Sequence, residues 1–579
     1  MRVSTGFRST AVSVSSAVCI GDFCRLRCWP NFPKGRLFWF VAGMLLLPVL
    51  TCSAQNGDSY GQLITPRVLS GKLAAPEDMR DYVAEGKLRL CLRDAIELAL
   101  ENNSDIRVDE TQVENQKFNL LRNHQPFDPL LTAILFGNRY SYPGYSQLQG
   151  VGASANATLN VLTQSGQLTF SQTLPTGTNI QVGLGSIKSS TNSGFNYFNP
   201  YFTSTWNLQF TQPLLRNRGL LANRAPIVIA RRNLQQSRAS FAAQVNDAIL
   251  QVVAQYWTVV QARGNLAVQQ KSLESAQASY QRDKRALELG ALPPLNIYRS
   301  ESEVASRRVQ VIQGEYDLKQ REDGLRMLIG ANQDSYFRAL DLELTEPAEA
   351  EGELRTIDAA TALAQALEQR PELDAARYAL ANDETNLQLA HNHLQPDLSL
   401  TGFYQAQGLG GDQYNLTTGE LIAQGGLGTS FSQLFAFGYP GYGATLTLNL
   451  PIKNRGAQAD LGAALVARRN DLYSERKIRE QITLEVSNAV HQLELAKLTL
   501  AANRTAVDLA QKNVSAEQRK YELGEGTVFF VLESQTELAQ AEQALLQSQI
   551  SYQLASTAVD HATGSLLEPY HVQIDQLTR

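Results

Sequence analysis

The chain has little cysteine, no long apolar run in its mature part and no strong charge of either sign. Four of its five cysteines (Cys19, Cys24, Cys28 and Cys52) lie in or beside an N-terminal leader, so Cys91 alone remains after cleavage and an intramolecular disulfide is excluded. A membrane-spanning helix needs about 20 consecutive apolar residues, and no such run follows residue 54. With 43% hydrophobic residues and a mean hydropathy of −0.23, the chain is not a bundle of membrane helices.

The leader has the order of parts that secretory signals have. Two basic residues precede an apolar run from Leu37 to Leu50, and the small residues of Cys52-Ser53-Ala54 follow it. This order predicts a signal peptide over residues 1–54, cleaved before Gln55. Because the leader is long, we expect the native start codon to lie downstream of residue 1.

The leader also determines the net charge of the mature chain, and it contains one alternative site of N-terminal processing. The whole chain carries −5, and the leader holds six Lys/Arg and one Asp, so the mature chain carries −10. An acidic chain is a poor nucleic-acid binder. Cys52 is an alternative lipid attachment site, but Leu50 and Thr51 before it depart from the usual lipobox, which disfavours lipidation.

The sequence contains a long internal duplication. In chain order the matching segments are Ala99–Asn103 with Ala366–Arg370, Asn217–Gly219 with Asn454–Gly456, and Glu288–Gly290 with Glu522–Gly524, at offsets of 267, 237 and 234 residues. A repeat of this kind has to be identified before the fold is assigned. Because the offset falls by about 30 residues between the first two matches, the first half carries an insertion there.

The duplication divides the chain into segments. They are a leader at 1–54, an N-terminal segment at 55–90, a first repeat at 91–338 (strands about 129–213, long helices about 226–330), an acidic linker at 339–356, a second repeat at 357–567 (strands about 396–450, long helices about 462–564) and a tail at 568–579. Each repeat has the same predicted order: opening helix, strands, long helix, turn and return helix.

The helices are predicted from apolar residues at helical spacing. Opening helices run from about Leu92 to Arg122 and from about Ala359 to His393, and long helices run from about Pro226 to Glu288 and from about Gly462 to Glu522. A helix of about 60 residues measures about 90 Å. Each return helix is about half that length, so an opening helix and a return helix can stack end to end beside the long helix.

Between these helices the pattern changes to period two. Trp206, Leu208 and Phe210 alternate with small polar residues, as do the residues from Ala444 to Leu450, and aromatic residues flank both segments. The pattern is typical of a transmembrane β-strand, although a half-buried strand of a soluble sheet also fits; the signal peptide favours the former. The insertion predicts an additional hairpin of Leu168–Leu174 and Ile180–Leu184, in the membrane or below it.

Four principal strands per chain are too few for a closed barrel, and an open edge in hydrocarbon leaves backbone groups unpaired. Symmetric closure with copies of the chain predicts a trimer with twelve strands. The predicted fold is therefore mainly α with a transmembrane β part. A duplicated helix–β-hairpin–long helix–turn–helix repeat forms a trimeric 12-stranded β-barrel continued by a long α-helical barrel.

Several segments resemble TolC-type outer-membrane efflux proteins. They are Leu92–Asn103, Gln212–Gly219, Leu328–Gly330, and Tyr521–Gly524 with Leu532 and Gln535 beyond it. The resemblance, over about Leu90 to Leu567, implies an outer-membrane channel-tunnel of a tripartite efflux or type I secretion system. It implies a passive homotrimer without catalytic activity or cofactor, embedded in outer-membrane lipid of a Gram-negative-type bacterium and joined to an inner-membrane pump through a periplasmic adaptor.

The same resemblance places adaptor docking at the two helix-turn-helix tips. The candidate docking residues are Leu289, Gly290, Leu295, Leu523, Gly524 and Val528. The glycines also end helices, which is the simpler explanation for them. Glu525, repeated by symmetry, is a candidate acidic ring at the pore mouth or a solvated turn residue. Asn296 and Phe530 stand where the family often has an acidic residue, so tip packing or docking contacts should differ.

Other conspicuous residues are assigned no chemistry. His391 and His393 point to different faces of a helix end and do not predict a metal site. The glycine clusters Gly408–Gly411 and Gly425–Gly428 lack the setting of a dinucleotide loop and are interpreted as exposed loops. The acidic segment Asp341–Glu353 either joins a belt around the tunnel, as the resemblance implies, or is a solvated linker.

Two other functions are compatible with parts of the sequence. A periplasmic coiled-coil scaffold would account for the long helices but not for the alternating strands. An envelope hydrolase would need a nucleophile in the insertion near residues 160–190, and no convincing set of nucleophile, base and orienting residue is found there or elsewhere.

Overall fold

The computed structural model describes residues 79–152, 157–289, 294–349, 354–523 and 525–570, with only the helical backbone of 294–296. The leader with Cys52, the tip glycines Gly290 and Gly524, the Leu295 side chain and residues 571–579 lie outside this description. All described residues belong to one unit, Pro76–Arg579.

The α-helices of the described residues are α1 Leu92–Asn102, α2 Ser104–Arg122, α3 Gly219–Glu288, α4 Pro294–Leu328, α5 Ser335–Arg338, α6 Ala359–Gln369, α7 Pro371–His393, α8 Leu427–Phe435, α9 Arg455–Glu522 and α10 Val528–Thr563. The strands are β1 Val83–Ala84, β2 Lys87–Leu90, β3 Leu130–Pro143, β4 Thr158–Thr173, β5 Asn179–Thr191, β6 Phe198–Pro213, β7 Asp341–Leu344, β8 Asp397–Tyr414, β9 Leu421–Ala423 and β10 Pro440–Asn449. None of these helices is both long and apolar enough to cross a bilayer.

Each opening helix is broken once, where the sequence predicts a continuous helix. The breaks are at Asn103 and Arg370, both in extended backbone conformation. Asn103 caps α2 by accepting a hydrogen bond from the Asp105 amide at 2.8 Å, and Pro371 occupies the first turn of α7. Both are helix-start features, and they interrupt the helix without disturbing its apolar spacing.

The broken joints hold the return helices in place. The Asn103 side chain donates to the Leu328 carbonyl at the end of α4 (3.3 Å). At the equivalent position of the second half, Arg370 donates to the Ala562 carbonyl near the end of α10 (3.4 Å). Carbonyls in the last turn of a helix lack partners within it, so each joint satisfies the end of the return helix that abuts it.

The two long helices begin earlier than the sequence predicts. Helix α3 has 70 residues and starts at Gly219, and α9 has 68 residues and starts at Arg455. The prediction for α3 treated Pro226 as a helix start, whereas Pro226 lies inside the helix. A proline there removes one backbone hydrogen bond, and the long helix continues through it. At 1.5 Å per residue, α3 is about 105 Å long.

The main sheet holds the four principal strands together with the additional hairpin of the insertion and one short strand. Its order is β10-β8-β6-β5-β4-β3, with β9 paired to β8 at one end. The insertion forms β4 and β5, which lie between β3 and β6 and are longer than the predicted hairpin. They occupy the segment in which a hydrolase would need its nucleophile. All pairings on this path are antiparallel.

The first part of the acidic linker, Asp341–Leu344, packs against the N-terminal segment instead of being fully solvated. Strand β7 pairs in parallel with β2, and Leu342 on β7 is buried. The buried Tyr256 hydroxyl of α3 lies 3.4 Å from both the Leu90 carbonyl, to which it donates, and the Glu346 amide, from which it accepts. Burial raises the pKa of Tyr256 to about 12, so this hydroxyl keeps its proton at neutral pH.

The glycine cluster at 408–411 is not an exposed loop, contrary to the prediction. Gly408, Gly410 and Gly411 are buried in β8, under helix α8. A Cβ on Gly408 would stand 2.0 Å from the Ser430 carbonyl oxygen of α8. The Ser430 hydroxyl donates to the Gly408 carbonyl (2.9 Å), and its oxygen lies 2.7 Å from the Ser204 hydroxyl oxygen. Glycine is present because the helix backbone lies directly on the strand.

Candidate functional site

The first candidate surface is the sheet, which has one apolar and one polar face. Leu208 on β6 pairs with Tyr404 on β8, and Leu400 on β8 pairs with Leu446 on β10. The neighbouring residues Asn207 and Gln405 pair with each other on the opposite face. Because side chains alternate between faces, the predicted period-two pattern puts apolar side chains on one face of the sheet and polar side chains on the other in the rows around Leu208.

The second candidate surface is formed by the two helix-turn-helix tips. Leu289 after α3 is 84% exposed, and Leu523 after α9 is 77% exposed. Val528 at the start of α10 is half-buried, and Glu525 is exposed. The Glu525 amide donates to the Lys520 carbonyl at 2.9 Å, which closes the end of α9. Both tips therefore present an apolar side chain to solvent from the same repeat position.

A buried carboxylate lies just behind the tips. Asp283 on α3 is 1% exposed and accepts a hydrogen bond from the equally buried Ser300 hydroxyl of α4. Its other oxygen lies 3.5 Å from the Tyr521 hydroxyl of α9. Burial, followed by the charge of Asp283, raises the pKa of Tyr521, so the phenol remains a donor. Asp283 thus connects three helices that belong to both hairpins.

A cation–π contact joins the same hairpins nearer the end. The Arg299 guanidinium carbon of α4 lies 5.0 Å from the centre of the Phe529 ring of α10. The adjacent Phe530, which stands at one of the two positions where the family often has an acid, is half exposed. Its ring packs edge-to-face against the Phe529 ring, with 5.4 Å between the ring centres, whereas Asn296 has no described side chain.

A charged node lies far from the tips, at the end of α10. We use this name for Asp247, Arg370, Glu485 and His561. The two ring nitrogens of His561 lie 2.8 Å from an Asp247 oxygen and 3.2 Å from a Glu485 oxygen, and Arg370 forms a 3.0 Å ion pair with the other Glu485 oxygen. The node therefore joins α3 of the first repeat to α9 and α10 of the second.

The charges of this node set its protonation. Burial alone would lower the pKa of His561, but the hydrogen bonds to Asp247 and Glu485 outweigh it and raise the pKa to about 9. The His561 hydrogen bond, together with Arg370, lowers the pKa of Glu485 to about 2. The histidine is consequently a cation at neutral pH and donates from both nitrogens.

The pairs of long helices and the two-faced sheet can be compared with those of a known protein family. Residues 95–331 and 362–565, together more than half of the chain, match the family described as outer membrane efflux protein. The chain belongs to this family. Membership confirms the predicted resemblance and the predicted outer-membrane localisation.

Relatives with assigned names agree with this assignment at low identity. The toluene efflux pump outer membrane protein TtgC of Pseudomonas putida is 23% identical over 317 residues, which are 55% of this chain and 60% of that protein. Outer membrane protein TolC of Vibrio cholerae is 23% identical over 340 residues, 58% of this chain and 72% of that protein. The match thus spans less than two thirds of TtgC.

Solved structures confirm the predicted fold of one protomer. The CmeC outer membrane channel of Campylobacter jejuni has a TM-score of 0.58 at 16% identity, covering 87% of this chain and 92% of that one. The open state of the MtrE channel of Neisseria gonorrhoeae has a TM-score of 0.55 at 17% identity, covering 82% of this chain and 89% of that one.

Sequence reasoning missed the residues that join the hairpins. Tyr521 was noted only as part of a motif, and Asp283 was not noted. A signal for Asp283 exists, because it follows the buried Ala276 and Ser279 at helical spacing. A carboxylate in a buried stripe requires a partner, but the partner, Tyr521, is 238 residues away along the chain.

Proposed function

We propose that the chain is the outer-membrane channel of a tripartite efflux or type I secretion system. It forms a homotrimer and a passive conduit, and an inner-membrane pump supplies the energy through a periplasmic adaptor. The exported compound is selected by the pump.

One observation supports this proposal above the others: the two-faced sheet passes directly into very long helices. Strand β6 ends at Pro213 and α3 begins at Gly219, while β10 ends at Asn449 and α9 begins at Arg455. A sheet with a lipid-compatible face, continued by helices of about 100 Å, suits a conduit that leaves the membrane on one side. A soluble scaffold has no use for the apolar face.

The proposal is tested with the processed protein from the native membrane. We expect it to fractionate with the outer membrane, to run as a trimer and to form ion channels in planar bilayers. Cells that lack the gene should lose export of at least one compound, and the intact gene should restore it. A monomer found in the soluble fraction, without conductance, would refute the proposal.

Adaptor docking at the tips is supported by Leu289 and Leu523. An apolar side chain more than three quarters exposed at the same position of both repeats is unusual at a solvated helix end, and exposed apolar groups mark contact surfaces. Replacing both leucines by aspartate should abolish export while trimers still reach the outer membrane. The matched double replacement by methionine should retain export, and equal export by both variants would contradict docking there.

Opening of the mouth is proposed to break the Asp283 contacts. Asp283 holds α3, α4 and α9 together one helical turn or two behind the tips. If the hairpins separate to widen the mouth, the buried carboxylate loses partners on one side. A buried carboxylate without partners is costly, so these contacts favour the closed arrangement until a partner protein compensates.

A further inference from the structure

The inserted β4–β5 hairpin continues both faces of the main sheet. One cross-strand row on the apolar face passes through all six strands and consists of Leu131, Phe170, Val182, Leu208, Tyr404 and Tyr442. The neighbouring row on the other face consists of Thr132, Thr169, Gly183, Asn207, Gln405 and Gly441. The apolar character of this face therefore continues across the hairpin at Leu168–Phe170 and Val182–Leu184, whereas farther along the hairpin the same face is small or polar, with Gly166 paired to Ser186 and Ser186 paired to Ser204.

The hairpin also spans the same height as the strands beside it. Its turn lies at the junction of strand and helix, because the Gly219 amide at the start of α3 donates to the Thr176 carbonyl at 3.2 Å. Strands β4 and β5 have 16 and 13 residues, and about 9–11 residues suffice to cross the hydrocarbon layer. The hairpin therefore neither projects below the sheet nor forms a surface loop.

We infer that β4 and β5 are membrane-spanning strands whose apolar face contacts lipid acyl chains, so that each copy contributes six strands to the barrel wall. On the described part of the chain, the path ends at β3 and β10. With six strands these two run in opposite directions, and β10 of one copy can pair with β3 of the next in the all-antiparallel order of outer-membrane barrels. Resting on the proposed trimer, this gives eighteen strands.

Eighteen strands change the width of the exit. With strands about 4.8 Å apart and a tilt of about 40°, the backbone diameter is about 36 Å, against about 24 Å for twelve strands. Four helix columns per copy at a spacing of about 9–10 Å form a ring of about 36 Å as well. The inserted hairpin thus gives the barrel the diameter of the helical cylinder.

Lipid contact is testable with single cysteines in a Cys91→Ser background. The serine hydroxyl can keep the cap on α1 that the Cys91 sulfur provides. Leu168→Cys and Val182→Cys test the apolar face of the hairpin, and Gln167→Cys and Gln181→Cys are the matched controls on its polar face. Leu208→Cys on β6 is the reference for lipid contact.

Each purified variant is labelled with an environment-sensitive fluorophore and placed in phosphatidylcholine vesicles with brominated acyl chains. We expect quenching at 168 and 182 equal to that at 208, and at least threefold weaker quenching at 167 and 181. Quenching at 208 without quenching at 168 and 182 would overturn the inference and leave the proposed function intact, whether water or another protein covers the hairpin. Absence of quenching at 208 as well would refute membrane insertion.

The strand number is read directly by cryo-electron microscopy of the full trimer in lipid nanodiscs. Eighteen strands around the axis are expected. A ring of twelve strands, with the hairpin outside the wall, would overturn the inference even if the trimer exports.

Discussion

The charged node predicts an alkaline loss of stability that depends on a single histidine. The folded state raises the pKa of His561 from 6.5 to about 9. A raised pKa means that the folded state holds the proton more tightly than the unfolded state does. The stabilisation is therefore complete below pH 6.5 or so and disappears as the pH rises through about 9.

The size of this effect follows from the shift. Each pKa unit corresponds to about 1.4 kcal/mol, so His561 contributes about 3 kcal/mol at low pH and almost nothing above pH 9.5. The His561 side chain is 10% exposed, but Asp247 and Glu485 are 61% and 40% exposed, so solvent screening of these two carboxylates makes about 3 kcal/mol an upper value. The lowered pKa of Glu485 arises from the same interactions and is not added to this figure. It predicts a separate loss of folding stability only as the pH falls from 4.5 toward about 2.

The assay compares the wild type with His561→Gln, which keeps hydrogen-bonding groups but cannot become charged. Helix unfolding of the detergent-solubilised protein is followed by circular dichroism at pH 6, 7, 8, 9 and 10. We expect the wild type to be more stable at pH 6, and the two unfolding midpoints to converge near pH 9. A difference that stays constant over this range, or that closes already near pH 6.5, would refute the assigned protonation.

Three further predictions concern the tips and the sheet. Asp283→Asn should raise the basal open probability of single channels about tenfold, since hydrogen bonds to a charged group contribute about 1.5–3 kcal/mol. Asp508→Asn on the exposed surface of α9 should leave the open probability unchanged. Gly408→Ala should destabilise the trimer by about 1–3 kcal/mol and expose the β8–β10 connection to protease, whereas Gly428→Ala, whose added Cβ meets no atom within 4 Å, should change neither. Deleting residues 158–191 removes two strands and should still give outer-membrane trimers, with a narrower barrel by electron microscopy; failure to assemble would contradict an up-and-down sheet.

The sequence was sufficient for elements with a strong local pattern. The long helices, the alternation around Leu208 and the position of the insertion all follow from spacing that a single chain reveals. Helix ends were less accurate, because Pro226 is a start signal in most helices but an interior residue in this one. The breaks at Asn103 and Arg370 were missed because apolar spacing continues across them.

Features that depend on distant partners were not predictable. The glycines at 408–411 look like a loop until α8, about 20 residues later, is seen to lie on them. His561 is an ordinary helical residue in the sequence, and only folding brings Asp247, 314 residues away, to its ring. Strand β4 was underestimated because its middle, Gln164 to Gln167, is polar or glycine and carries little alternation.

The insertion could be added to this fold only as a pair of strands. A single extra strand would reverse the direction of β6 and bring the start of α3 to the opposite rim of the sheet, away from the other long helix. With two added strands, β6 keeps its direction, Pro213 and Gly219 stay at the same rim of the sheet, and only the width of the barrel wall increases. The offset between the repeats falls from 267 to 237 residues, and this difference is about the length of two spanning strands and a turn. The length of the insertion is therefore the one that an added antiparallel hairpin requires.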